Sequence, residues 1–137
     1  MENAKKRKDV IRMNEQDMLN EWTKRYITND YGNLGCVTFE GYKELAVSDG
    51  FRMGYMECKW KLDTKEVEGK IWLDDDHSKC PELFRDSVLW HEFCHYWDCV
   101  ESLHVDHCGN FQMKKLKKPL YAFGDVVLKL IGWVWFD

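Results

Sequence analysis

The sequence predicts an α+β domain: a small, mainly antiparallel sheet of about three strands, packed on one long helix with further helices around it. Three observations carry this. Residues 53–62 (MGYMECKWKL) and 67–74 (VEGKIWLD) alternate apolar and polar side chains, the period of a half-buried strand. Between Pro81 and Leu103 no further proline and no glycine interrupts a strongly apolar helical pattern. The chain has 137 residues, 45% hydrophobic and 15% aromatic, which suits one compact domain with a substantial core.

The elements follow in order. Residues 1–12 read as a basic, frayed leader, with Lys5, Lys6, Arg7 and Lys8 solvated, and 13–137 as a single domain. Asn14 is a candidate N-cap, with Asp17 in the first turn favouring the helix dipole. Met18, Leu19, Trp22 and Tyr26 repeat at helical spacing, and the turn formers of NDYGNLG end the helix. CVTFEGY alternates as a short strand. In 53–62, Met56, Cys58, Trp60 and Leu62 share the inward face; in 67–74, Val67, Ile71 and Leu73 do. The turn DTKE joins these two as an antiparallel hairpin. DDDH, residues 74–77, reads as an exposed acidic turn.

Pro81 suits the first turn of a helix. Leu83, Phe84, Val88, Leu89, Phe93, Tyr96, Trp97 and Val100 then make that helix buried. It breaks before HVDHCGN. A further helix begins near Gly109 and carries Phe111, Met113 and Leu116 as far as Pro119, with Lys114, Lys115, Lys117 and Lys118 on a solvated face. The tail after Pro119 is helical or mixed. Its apolar run VVLKLIGWVWF is too short to span a bilayer and reads as core packing.

The formal net charge of −4 supplies no global field for nucleic acid. Six cysteines contain no C-x-x-C pair, which excludes a zinc ribbon and a thioredoxin-type motif. Scattered cysteines and a charged N-terminus without a secretory apolar region fit free thiols and an intracellular protein, in the cytoplasm or, in a eukaryote, the nucleus.

The chemistry concentrates in HEFCHYWDCVESLHVDHCGNF, residues 91–111. His91 and His95, four apart in a helical pattern, project one turn apart on one side and can share a zinc ion. Glu92, in an H-E-x-x-H pattern, is the candidate general base for a zinc-activated water. Glu101, His104, Asp106 and His107 compete as third ligand. Glu101 stands where a metzincin places its third ligand, but Asp98 replaces the glycine that turns the chain back, so the helix continues and carries Glu101 away. His104 comes too early to fold back. His107 precedes Cys108 and Gly109, where the chain has room to turn, and is the chosen third ligand. Asp98 and Asp106 are candidates to orient a ligating imidazole, with exposed carboxylates as the alternative.

His91-Glu92-Phe93-Cys94-His95, a spacer, then His107 with Phe111 four residues on and a basic helix after it, resembles the SprT-like zinc metalloproteases. The hairpin ending in Ile71-Trp72-Leu73-Asp74 ahead of the motif helix is similar to that family's layout. The resemblance covers residues 13–118. It implies a minimal zincin-like domain, one Zn2+ ion and peptide-bond hydrolysis, and, in the eukaryotic branch, cleavage of proteins crosslinked to DNA. Three departures stand against it: glycine comes one place later after His107, no zinc ribbon follows, and the net charge is acidic. The last two argue against DNA association. The expected partner is a protein or peptide substrate, paired along the outer strand of the hairpin, either 53–62 or 67–74. The alternatives are a non-catalytic zinc-stabilised binding domain, with Cys108 or Asp106 as a fourth ligand, and a regulatory zincin cleaving one specific protein.

Overall fold

The computed structural model describes residues 13–47, 50–51, 53–105 and 111–131. The basic leader, the segment 106–110 with Asp106, His107 and Cys108, and the end of the apolar tail lie outside the described residues.

Helix α1 (Glu15–Trp22) starts where Asn14 accepts the Asp17 backbone N–H at 2.8 Å, the capping interaction that satisfies an orphan donor of the first turn. It runs on through a π-helical stretch (Thr23–Thr28) into a final turn, α2 (Asn29–Tyr31). Gly32, with φ of +83°, stops it by adopting a conformation that disfavours any side chain.

Strands β1 (Val37–Lys43), β4 (Gly54–Trp60) and β5 (Val67–Asp74) form one sheet in the order β1-β5-β4. A separate short pair, β2 (Ala46–Val47) and β3 (Gly50–Phe51), lies between β1 and β4 in sequence. The β4–β5 hairpin is antiparallel, as its alternation and turn predict. The sheet as a whole is mixed, not mainly antiparallel: β1 runs parallel to β5, which inserts between β1 and β4. Apolar alternation selects a face but carries no information about the direction of a distant neighbour. A bulge at Glu40, relieved by Gly41 with φ of +133°, adjusts the β1 register.

Burial alternates along the central strand as far as Leu73, with Val67, Gly69, Ile71 and Leu73 all inward. On edge strand β4 the alternation fades toward its end. Trp60 is 53% exposed and Leu62 69% exposed, contrary to the inward face expected for them.

The sheet packs on α3 (Glu82–Val105), buried on every side from Ser87 to Cys94. Asp98 does continue this helix. Two helices close the far side, α4 (Phe111–Lys115) and α5 (Pro119–Leu130). The core joins Leu19, Trp22 and Ile27 to Val37, Ile71 and Leu73, and to Trp90, Phe93 and Tyr96 of α3. Trp22 meets Trp90 edge-on with ring centroids 5.1 Å apart, and the Trp90 indole N–H donates to the Lys115 carbonyl at 3.0 Å, fastening α4 to α3.

Two surface readings change. Lys114 and Lys115 are buried rather than solvated: Lys114 donates to Asp98 at 3.1 Å and pairs with Glu101 at 3.3 Å, while Lys115 pairs with Asp125. Asp74 and His77 are buried as well. Asp74 accepts the backbone N–H groups of Leu45 and Asp76, and burial holds the His77 pKa below its ordinary value, against the pull of Asp74 and Asp76. The apolar tail reading holds only in part. Leu128 is buried, but Val126, Leu130 and Ile131 of the same run are exposed. No helix among the described residues is long and apolar enough to cross a membrane.

Candidate metal centre

His91, Glu92 and His95 come together because α3 is unbroken across them. A rise of about 1.5 Å per residue sets His91 and His95 one turn apart on one face. Their Nε2 atoms are 3.2 Å apart. Two nitrogens at 2.0–2.1 Å from one tetrahedral ion would stand roughly 3.3–3.4 Å apart, so the pair is already spaced for shared coordination. The ligand atoms of His91, Glu92 and His95 all lie within 4.8 Å of one another, and this group could hold a metal ion.

Phe111, the first residue of α4, packs on the pair. Its ring stacks on His95 at 4.2 Å and meets His91 edge-on at 5.0 Å. The ring covers the imidazoles on one side and limits their rotation. His91 and Glu92 are buried, and His95 is half-buried.

Against the Glu92 side chain stands Gly54, at the start of β4. A Cβ there would lie 2.8 Å from Glu92 Cγ and 3.0 Å from Val88 Cγ1. The strand therefore approaches the Glu92 side chain closely because this residue has none. Nothing in the sequence marks this glycine for that role; it reads only as the start of an alternating strand.

The remaining candidates sit elsewhere. Asp98 and Glu101 face Lys114, and Glu101 also accepts the Tyr31 hydroxyl at 3.3 Å, so neither joins the histidine pair. The His104 ring packs against Tyr31 with centroids 5.1 Å apart. His77 belongs to a 3-10 turn (Asp75–Lys79) outside this cluster. The proposed third ligand, His107, lies outside the described residues.

The β1 edge of the sheet is covered. The Gln16 side chain of α1 donates to the Val37 carbonyl at 3.1 Å and accepts the Phe39 N–H at 2.8 Å, occupying the positions a further strand would use. At the other edge, β4 pairs with no further strand among the described residues.

Comparison with known protein families, with curated proteins and with solved structures finds no match for this chain.

Proposed function

We propose that the protein is a zinc-dependent metalloprotease of the SprT-like, zincin type, with His91, His95 and His107 as zinc ligands and Glu92 as general base. The observation that carries this reading is the 3.2 Å approach of the His91 and His95 Nε2 atoms beside the Glu92 carboxylate on a buried helix. The packing of Phe111 on His95 supports His107, because it brings the residue that follows the 106–110 segment to the imidazole pair. Zinc bound there supplies Lewis acidity toward the scissile carbonyl and acidifies water. Glu92 accepts the proton of the attacking water and delivers it to the leaving amine. The substrate is a protein or peptide that pairs in extended form with β4, the sheet edge that Gln16 does not cover and whose first residue adjoins Glu92.

A second reading, a non-catalytic zinc-stabilised domain, is favoured by the complete burial of Glu92. Ligand number separates the two: three protein ligands and an open position for catalysis, four protein ligands for structure.

The test combines zinc content with peptide cleavage. Glu92→Gln should keep zinc stoichiometric and lower cleavage by about 10²–10⁴-fold, the usual contribution of a positioned general base. His107→Ala should lose zinc. Unchanged cleavage in the Gln variant removes Glu92 as base, and parent-like zinc binding in the Ala variant removes His107 as ligand.

A further inference from the structure

We propose that the outer face of α5, with the turn that leads into it, docks on an anionic lipid surface, the helix lying at the bilayer interface without crossing it. A helix on the outside of a domain ordinarily turns charged residues to water. In Pro119–Leu130 the charged residues are Asp125 and Lys129 alone, and Asp125 is buried. Phe123, Val126 and Leu130, spaced three and four apart, form one stripe on the side opposite the buried Asp125 and Leu128. A Cβ on Gly124 would collide with Ser87 of α3, so the inner side is fixed against α3 and the stripe points away from it. Phe123 is 61% exposed and Leu130 80%. Leu116 and Leu120 before the stripe, and Ile131 after it, are exposed too. An exposed apolar surface of this kind, edged by polar groups, marks a contact site.

The charge pattern selects the occupant. The chain carries a formal net charge of −4, yet residues 111–131 hold five lysines and one carboxylate, Asp125. That carboxylate is turned inward to Lys115, with Lys129 at 3.9 Å. Lys117 and Lys118 stand at the start of α5 and Lys129 in its last turn. Lys117 and Lys129 are exposed and Lys118 is half-buried, and no carboxylate of the same segment joins them at the surface. Lysines at both ends of an apolar stripe suit a bilayer with negative headgroups. The apolar side chains enter the boundary between headgroups and acyl chains, while the lysine stems reach the phosphates.

A second copy of the chain fits this face less well. A two-fold contact would set the face against itself and bring like-charged lysines together. The leader, with Lys5, Lys6, Arg7 and Lys8, carries the same sign. Beyond Ile131 the sequence adds Trp133, Trp135 and Phe136, residue types that favour the interface of membrane and water.

The experiment floats the full chain with lipid vesicles, one set of phosphatidylcholine alone and one with about a third phosphatidylserine. The parent chain should bind the anionic vesicles about tenfold more than the neutral ones, and added salt should weaken the binding. Phe123→Ser with Leu130→Ser should reduce binding by about tenfold or more, because two large side chains no longer enter the bilayer. Lys117→Gln should reduce it about fivefold, the effect of one lysine near an anionic surface. Leu62→Ser removes an exposed leucine from the hairpin turn instead and should bind as the parent does. A parent chain that stays with the buffer, or binds both vesicle types alike, overturns the proposal. So does undiminished binding by the Phe123 and Leu130 variant. Sedimentation velocity without lipid tests the competing occupant: a dimer that these two substitutions dissolve assigns the face to a second copy and overturns the proposal as well.

Discussion

Gly54 leaves room where strand β4 meets the helix that bears His91, Glu92 and His95. Ala at this position would set a Cβ 2.8 Å from Glu92 Cγ and 3.1 Å from Cδ, closer than packed carbons tolerate. Either the strand retreats or the carboxylate moves. Gly54→Ala should therefore lower stability by about 1–3 kcal/mol, the usual cost of overpacking. It should also reduce peptide cleavage while zinc content stays at the parent level. Urea denaturation and a cleavage assay check both, and a variant equal to the parent in each would remove Gly54 from the site. At this scale the sequence is legible where chemistry and periodicity coincide. His91, Glu92 and His95 were singled out by spacing on a helix, and the structure brings their ligand atoms within 4.8 Å. It is less legible where a charged side chain is neutralised from far away. Lys114 and Lys115 read as solvent-facing because Asp98, Glu101 and Asp125, their partners, belong to other elements.

Helix α5 is held to α4 by such a pair. Lys115 and Asp125 are both buried, and Lys129 of α5 also reaches Asp125 at 3.9 Å. Gly124 beside Asp125 lets α5 approach α3, for a Cβ there would collide with Ser87 Oγ and stand 3.1 Å from Ser87 Cβ. Removing one partner of a buried ion pair strands the other, at a cost of about 3–5 kcal/mol, whereas replacing both with apolar residues of similar size is often close to neutral. Asp125→Ala should thus destabilise strongly, and Lys115→Met with Asp125→Leu should recover most of the loss in a thermal melt. A single variant as stable as the parent would show that the pair does not hold the helix. Element boundaries were readable where local signals were strong. Residues 67–74 form the strand expected of them because β5 is central and its inward face is covered along its length. Trp60 and Leu62 read as inward from alternation alone, but Trp60 ends the edge strand and Leu62 already lies in the turn, where alternation no longer reports burial.

For the molecule as a whole, the fold class was readable and the topology only in part. A 137-residue chain with alternating and helical patterns gives an α+β domain. The hairpin follows from the adjacency of its strands. The parallel placement of β1, and the use of Gln16 to cover its edge, depend on contacts between distant residues that no local pattern encodes.

That parallel strand has a kinetic consequence. The β4–β5 pair closes across one short turn, while Val37 and Gly69 meet only when the long segment between β1 and β5 is looped out. Loop-closure entropy favours the nearer pairing first, so the rate-limiting step should be assembly of the hairpin on α3, with β1 docking afterwards. In a denaturant chevron, Ile71→Val should cost about 0.5–1.5 kcal/mol and show a good part of that as slower folding. Val37→Ala should instead appear almost wholly as faster unfolding. The reverse partition would mean that β1 joins the nucleus. If the order holds, the strand whose edge Gln16 covers is the last to be secured and the first to be lost.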